Sequence, residues 1–243
     1  MKQLDVCGLN SPDGGHSCMN CWVKQFSLLE GLSHEELKVL DSNRGTRHYK
    51  AGEVIFREGE SSLGLLCLRS GKVKVSKSGL SENDAIISLN KPVDFLGLEA
   101  LILEQNYCST ATALEDSSIC FIGKENFLKI LNGNQNLSLK VMALLAKKTT
   151  TANERMLVLT QKHLRGRLAD ALLLLQKEYG FTDDNKTLNV QLKRAELAAL
   201  ANMTPANAIR ILSVFAKEDL IETNRRKIII KDLKGLEKIS QLG

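Results

Sequence analysis

Residues 191–217, QLKRAELAALANMTPANAIRILSVFAK, decide the fold of this chain. Leu197 and Ala201 stand four residues apart and place the apolar side of a first helix. A polar interruption at residues 202–204 then predicts a tight turn. Thr204 suits the N-cap of a second helix, and Pro205 suits its first position, where a missing N–H costs nothing. The stretch therefore predicts two helices joined by a short turn.

The second helix is predicted to have one apolar and one polar face. The apolar residues follow the spacing of a buried helical face and are Ala208, Ile211, Leu212 and Phe215. The opposite face carries Ala206, Asn207, Arg210, Ser213 and Lys217. Hydrogen-bond donors at this spacing, with Thr204 at the helix start, suit a helix in a DNA major groove. An ordinary helical pair with a solvated outer face fits the same stretch.

The residues that follow favour the DNA-binding interpretation. Residues 220–223 and 227–230 are apolar enough to form two strands, with Asn224 and two arginines between them. The resulting hairpin is the wing of a winged helix-turn-helix. Arg225, Arg226 and Lys227 are predicted to contact backbone phosphate, because a hairpin tip carries no helix into the groove.

The charge of the chain is distributed unevenly. Its 243 residues are enough for two domains, and the formal net charge is +5. Residues 1–160 contain 18 basic and 18 acidic residues, whereas residues 161–243 contain 15 basic and 10 acidic residues. The whole excess therefore lies in the C-terminal third. This distribution indicates a neutral sensing part and a basic part that binds nucleic acid.

The sequence predicts a cytoplasmic protein without a membrane segment. No apolar run approaches the roughly 18 residues of a membrane span, and residues 1–17 lack the apolar core of a signal peptide. The six cysteines are therefore expected to be reduced thiols or metal ligands. No nucleophile–base pair in motif context and no phosphate-binding glycine loop is seen, so no enzymatic activity is predicted.

The N-terminal half is predicted to be an arm, a helix and an antiparallel β-roll. Residues 1–25 are polar and glycine-rich and form the arm, and residues 26–43 are expected to be helical, with Ser33 and Glu36 as a capping box. Short segments separated by glycine turns then predict a barrel-like roll. The candidate strands are residues 53–57, 63–69, 73–76, 85–89, 109–114 and 118–122.

A short helix at residues 125–131 and a long helix at residues 137–159 are expected after the roll. The apolar residues of the long helix are Leu137, Val141, Leu144, Leu145, Met156 and Leu159, separated by a polar gap at residues 147–151. We predict that they form the interface of a homodimer, because a two-fold protein reads two half-sites. Packing of this helix on its own roll is the alternative. The predicted domains are 1–25 (arm), 26–135 (roll), 136–160 (dimerisation helix) and 161–243 (winged helix-turn-helix).

In this order the predicted elements resemble the CRP/FNR family of bacterial transcription regulators. YKAGEVIFREGE, LLCLRSGKVKV and DFLGLEAL are similar to the family's glycine-marked roll, and RAELAALANMTPANAIRILSVFAKEDLIE to its DNA-reading element. The resemblance covers the chain from about residue 26. It implies an α+β fold with a cyclic-nucleotide-binding-like roll, and a homodimer that binds double-stranded DNA and contacts RNA polymerase.

Two departures from the family argue against cyclic AMP as the ligand. In members that bind it, a Glu holds the ribose and an Arg-Ser pair holds the phosphate. The matching positions here are Leu98, with Glu99 beside it, and Tyr107 with Cys108. A phosphate buried without a charged partner is costly.

The cysteines resemble those of the oxygen-sensing FNR branch. That branch holds an iron–sulfur cluster with three cysteines of an arm and one of the roll. Cys18 and Cys21 match the C-x-x-C part and Cys120 matches the roll cysteine, whereas Ser27 stands at the third arm position. Cys7 could supply the missing thiolate. A cluster, a zinc site on the same thiols, and free thiols all remain open.

Two functions of different classes follow. The first is a dimeric sequence-specific transcription regulator whose roll senses a small signal. The second is a cytosolic metal or redox protein whose helix pair only mediates protein contacts. The wing, the basic C-terminal third and Arg210 favour the first.

Overall fold

The computed structural model describes residues 27–79 and 84–243. The chain forms two compact units, one of residues up to Val75 and Asn90–Lys148, the other of Ser76–Leu89 and Thr149–Gly243. The elements in chain order are α1 (His34–Asp41), β1 (Arg44–Tyr49), β2 (Val54–Phe56), β3 (Gly64–Ser70), β4 (Val73–Lys77), β5 (Ala85–Asn90), β6 (Phe95–Leu96), α2 (Leu98–Ile102), β7 (Thr110–Ala113), β8 (Ser117–Gly123), α3 (Lys124–Gly133), α4 (Gln135–Gln161), α5 (Leu164–Tyr179), α6 (Arg194–Leu200), α7 (Pro205–Lys217), β9 (Ile221–Asn224), β10 (Lys227–Ile230) and α8 (Leu233–Leu242).

The roll consists of two four-stranded sheets with strand orders β1-β8-β3-β6 and β2-β7-β4-β5. Strand β8 lies between β1 and β3 and pairs antiparallel with both. All six predicted strand segments are confirmed, as β2, β3, β4, β5, β7 and β8. The α+β fold predicted from the sequence is therefore correct.

Two strands and one helix boundary differ from the sequence prediction. β1 has the sequence RGTRHY, which shows no apolar alternation, and its pairing with β8 along all six residues makes it a strand. β6 is only two residues long. The first helix begins at His34 and not near residue 26, because Ser33 caps it from an extended conformation, as the capping box predicts.

The roll has two cores on opposite faces of its first sheet, because side chains alternate along a strand. One core lies within the roll and includes Phe56, Leu68, Tyr107 and Ile119. The other packs the opposite face against helices, and its fully buried members include Leu40 and Phe127 of α1 and α3.

Helix α4 contributes to the second core, which corrects part of the predicted dimer interface. Leu137 and Val141 are only 2% and 4% exposed and belong to that core. Leu144 and Leu145 are half-buried and pack against it. These four side chains pack within their own chain, as in the alternative interpretation of the long helix.

The C-terminal unit contains the predicted helix-turn-helix and wing. The wing strands β9 and β10 pair antiparallel from Ile221 with Ile230 to Asn224 with Lys227. Sequence reasoning missed α8, although Asp232 caps it by accepting a hydrogen bond from Gly235 N–H at 2.9 Å. Its Leu236 is fully buried and anchors the helix to this unit.

Candidate DNA contact site and roll interior

Helix α7 begins where its capping residues require. Thr204 has φ −71° and ψ 151°, and its Oγ1 accepts a hydrogen bond from Asn207 N–H at 3.3 Å. Pro205 occupies the first helical turn. The four apolar residues predicted to face the core are buried, namely Ala208, Ile211, Leu212 and Phe215. The orientation of α7 in the unit is therefore set by this apolar face.

The opposite face of α7 exposes most of the residues predicted to contact DNA. Arg210, Ser213 and Lys217 are exposed, and Asn207 is half-buried. Arg210 Nη2 donates to Asn207 Oδ1 at 3.4 Å, so these two side chains lie together. Ser213 Oγ donates to the Ile209 carbonyl at 3.0 Å, which leaves its lone pairs to accept a hydrogen bond from an amino group of a base. Thr204 is exposed, and its hydroxyl already caps the helix.

Sequence reasoning missed one side chain on this face. Ile209 is 50% exposed, and Ala206 one turn earlier is exposed as well. The two form a small apolar surface beside Arg210. An apolar side chain in this position is suited to the C5-methyl group of thymine. The signal in the sequence was an isoleucine outside the i, i+3, i+4, i+7 pattern of the buried face.

The wing tip is a two-residue turn, Arg225-Arg226, between Asn224 and Lys227. Arg225, Arg226 and Lys227 are exposed. Arg225 has φ 52°, a left-handed conformation that two-residue hairpins usually fill with glycine, asparagine or aspartate. An arginine here is strained, and strained positions cluster at functional sites.

Arg194, the first residue of α6, joins the helix-turn-helix to the wing. Its Nη2 donates to the Arg225 carbonyl at 2.9 Å. Burial lowers the pKa of Arg194 from its ordinary value. The contact holds the wing turn beside α6, and it was not foreseen because 31 residues separate the two positions.

Lys148, in the polar gap of α4, has an acidic partner within its own chain. Lys148 Nζ lies 2.6 Å from Glu99 Oε1 and forms an ion pair with it, so its charge is matched within the chain. The apolar residues that α4 exposes match the predicted set only in Met156. Leu139, Met142, Met156 and Leu157 are each more than half exposed, and Leu159 is half-buried.

The interior of the roll is filled by the chain itself. The ring of Tyr107 stacks on Phe56 with centroids 3.9 Å apart and planes 17° apart, and it is 7% exposed. A Cβ on Gly97 would lie 2.4 Å from this ring, so the ring has room here only because residue 97 is a glycine. Burial raises the pKa of the Tyr107 phenol.

The residues at the family's nucleotide-binding positions do not fit a cyclic nucleotide. Leu98 is fully buried and offers no ribose ligand, and Glu99 pairs with Lys148. Tyr107 is buried and stacked on Phe56, and Cys108 is exposed.

One of the four cysteines predicted to bind metal lies in the described part of the chain. Cys120 is 6% exposed, and its Sγ lies 3.8 Å from both Arg44 Nη2 and Thr46 Oγ1. Cys7, Cys18 and Cys21 lie outside the described residues. Within residues 27–79 and 84–243 no three His, Cys, Asp or Glu side chains are grouped to hold a metal. Cys120 is a suitable thiolate ligand, but a complete ligand set stays a prediction.

A β-roll, a long helix and a winged helix-turn-helix define a class of DNA-binding regulator with a sensing domain. Residues 46–134 match the model of the cyclic nucleotide-binding domain, and residues 166–239 match that of the Crp-like helix-turn-helix domain. The chain belongs to the CRP/FNR family, as the sequence resemblance predicted. In the residues described, no helix has the length and apolar character to cross a membrane.

Relatives extend over nearly the whole chain. The cyclic AMP receptor protein of Thermus thermophilus is 27% identical over 219 residues, which are 90% of this chain and 98% of that protein. The anaerobic regulatory protein of Haemophilus influenzae is 26% identical, over 90% of this chain and 86% of its own length. The solved structure of a CRP/FNR-family transcriptional regulator from Thermus thermophilus is 26% identical, with a TM-score of 0.68, and covers 81% of this chain and 98% of that one.

Proposed function

We propose that this protein is a homodimeric, sequence-specific transcription regulator that binds double-stranded DNA through α7 and the wing. The observation that carries the proposal is the exposed face of α7 with Arg210, Ser213 and Lys217, in the same compact unit as an exposed basic hairpin tip. The excess positive charge of residues 161–243 supports it. Contact with RNA polymerase, in the cytoplasm, follows from the family resemblance.

Arg210 is the proposed main base-reading residue. It projects from the polar face one turn after Ala206, and a bidentate arginine–guanine pair gives about 1–3 kcal/mol of discrimination. Related regulators usually have a glutamate where Ala206 stands, which accepts from cytosine. Alanine offers no acceptor there, and Ile209 adds an apolar contact suited to thymine. The half-site should therefore differ from the usual one of the family and include a thymine next to the guanine.

The wing is proposed to bind phosphate without reading bases. Arg225, Arg226 and Lys227 lie at the tip of a two-residue turn that Arg194 holds from α6. Phosphate contacts fix the register of a protein on DNA and give affinity that depends on salt.

The dimer is proposed to form along the exposed face of α4. Residues on this face recur at alternating spacings of four and three, the a/d repeat of a two-stranded coiled coil. They are Leu139, Ala143, Ala146, Thr150, Asn153 and Leu157, all exposed. The leucines stand at the two ends of the repeat, with small and polar side chains between them. Asn153 would set the register of the two helices at a cost in stability.

A candidate signal is oxygen, sensed through an iron–sulfur cluster. The relative from Haemophilus influenzae is named for anaerobic regulation, and Cys120 supplies one suitable thiolate. Anaerobic reconstitution with iron and sulfide, followed by iron and sulfide assays and an absorbance spectrum, tests this candidate. The wild type should take up iron, and Cys120→Ser should not. Absence of iron from the reconstituted wild type would exclude the cluster.

The DNA-binding function is tested by selecting duplexes from a random pool with wild type and Arg210→Ala. Lys177→Ala is the matched control, because Lys177 is an exposed cation on α5, outside α7 and the wing. Wild type and control should select the same half-site, and Arg210→Ala should lose the preference at one base pair. Identical selected sequences for all three proteins would remove Arg210 from base reading. No salt-dependent binding by the wild type would favour the alternative of a metal or redox protein.

A further inference from the structure

Two cysteines of the roll lie directly opposite each other on neighbouring strands. Cys67 of β3 and Cys120 of β8 are Cα partners in the antiparallel register. They are 5% and 6% exposed and belong to the same core, on the sheet face that packs against the helices. Residues at paired positions point to the same side of a sheet, so both thiols occupy one site.

The register also determines which kind of pair they form. Lys124 N–H donates to the Leu63 carbonyl at 3.2 Å, one position beyond the paired Gly64 and Gly123. Hydrogen-bonded and non-hydrogen-bonded pairs alternate along an antiparallel ladder. Cys67 and Cys120 lie four positions along the ladder from Leu63 and Lys124, an even number, so the two pairs are of the same kind. They therefore form a hydrogen-bonded pair, with Cα atoms about 5.5 Å apart.

At this Cα separation a disulfide can form, but its geometry is strained. Disulfides span Cα distances of about 4.4–6.8 Å, whereas their Cβ atoms stand about 3.8 Å apart. Cross-strand Cβ atoms are about 4.5–5.5 Å apart, so the bond must draw the strands together. A bond formed under such strain is readily reduced, which is typical of regulatory disulfides and not of structural ones.

We infer that Cys67 and Cys120 are a reversible oxidation site, which a small hydroperoxide converts to a disulfide. One thiol attacks the hydroperoxide, so that an S–O bond forms, the O–O bond breaks and water or the alcohol leaves. The second thiol then displaces water from the sulfenic acid and the S–S bond forms. In total two thiols are oxidised and one hydroperoxide is reduced, and with hydrogen peroxide two waters are released.

The surroundings of the pair restrict which oxidants can reach it and connect it to α4. Arg44 and Thr46 of β1 contact the Cys120 sulfur, each at 3.8 Å, and restrict its movement. The near-complete burial of both thiols excludes bulky oxidants. Leu137 and Val141 of α4 belong to the same core, so a bond that draws β3 and β8 together changes the surface under that helix. An effect on DNA affinity rests on the proposed function, whereas bond formation does not.

The test uses the full-length wild type, shown by assay to be free of iron. It is exposed to hydrogen peroxide, unfolded, alkylated with N-ethylmaleimide and mapped by peptide mass spectrometry. The expected product is a Cys67–Cys120 linked peptide, two mass units lighter than the separate thiols, which dithiothreitol returns to two alkylatable cysteines. Cys108→Ser, which removes an exposed thiol, should give the same link, and in Cys67→Ser the Cys120 peptide should remain unlinked.

Full alkylation of Cys67 after exposure to peroxide would overturn the inference, and so would a link from Cys120 to an arm cysteine. DNA affinity is then measured for the reduced and oxidised forms. We expect a change of at least threefold in the wild type and none in Cys67→Ser. If the disulfide forms but DNA affinity does not change, the proposed link to α4 is wrong, whereas the oxidation site itself is supported. Failure of both forms to bind DNA would count against the proposed function alone.

Discussion

Replacing Arg225 with glycine is expected to stabilise the protein while weakening its binding to DNA. Arg225 has φ 52° in the wing turn. An L-residue in the left-handed region is destabilised by about 1–2 kcal/mol, which glycine avoids, while the extra freedom of glycine in the unfolded chain costs about 0.5–1 kcal/mol. The relief is the larger effect, so a net gain of about 0.5–1 kcal/mol is expected. For a chain of this size that raises the melting temperature by about 1–4 °C.

The same substitution removes one phosphate contact from each wing. Each contact contributes about 0.9 to the slope of log affinity against log salt, so a dimer should lose about 1.8 from that slope. Fluorescence anisotropy with one duplex at four or more salt concentrations measures the slope, and calorimetry measures the melting temperature. Arg225→Asn is the matched control, because asparagine tolerates the left-handed conformation and also lacks the charge.

The two measurements separate strain from charge. Arg225→Asn should lower the slope as much as glycine does. A lower melting temperature for Arg225→Gly would refute the strain argument, because relief of a strained conformation should raise the melting temperature. An unchanged slope for both variants would refute phosphate binding by Arg225.

Four further outcomes are expected. Leu139→Glu should shift the dimer towards monomer in sedimentation, whereas Leu103→Glu, at a 64% exposed leucine outside α4, should not. Tyr107→Ala should lower the free energy of unfolding by about 3–5 kcal/mol in denaturant titrations, as for other large aromatic residues, and wild type should show no thermal shift with cyclic AMP. The pKa of Asp184 is lowered from 3.8, first by the Thr187 hydroxyl, so its contribution to stability is present above pH 3.8 and lost below it. Asp184→Asn should therefore flatten the fall in stability between about pH 4 and pH 2.

Helix α7 was predictable because its signals are local. Thr204 and Pro205 define its start, and the apolar spacing from Ala208 onward defines its buried face. Strand β1 was not predictable, because its six residues become a strand only by pairing with β8, about 70 positions later. Arg194 presents the same difficulty, since its partner is a backbone carbonyl of the wing turn.

The long helix shows a different limit of sequence reasoning. Apolar periodicity identified the face with Leu137 and Val141 but did not indicate what that face packs against. The structure places these residues in the roll core, and the exposed repeat that begins at Leu139 lies on another face of the same helix. One helix therefore has apolar residues on two faces, and only the tertiary structure shows which face is buried in the roll and which is exposed.

Tyr107 also has a consequence for how such regulators acquire new ligands. Its ring already makes the packing contacts, against Phe56 and Gly97, that a bound molecule would otherwise have to make. Shortening this one side chain would leave a cavity the size of an aromatic ring inside an otherwise intact roll. A descendant could therefore gain a ligand by losing atoms, with no change to the strands, and the stability lost with the ring would be restored by any compound that fills the space.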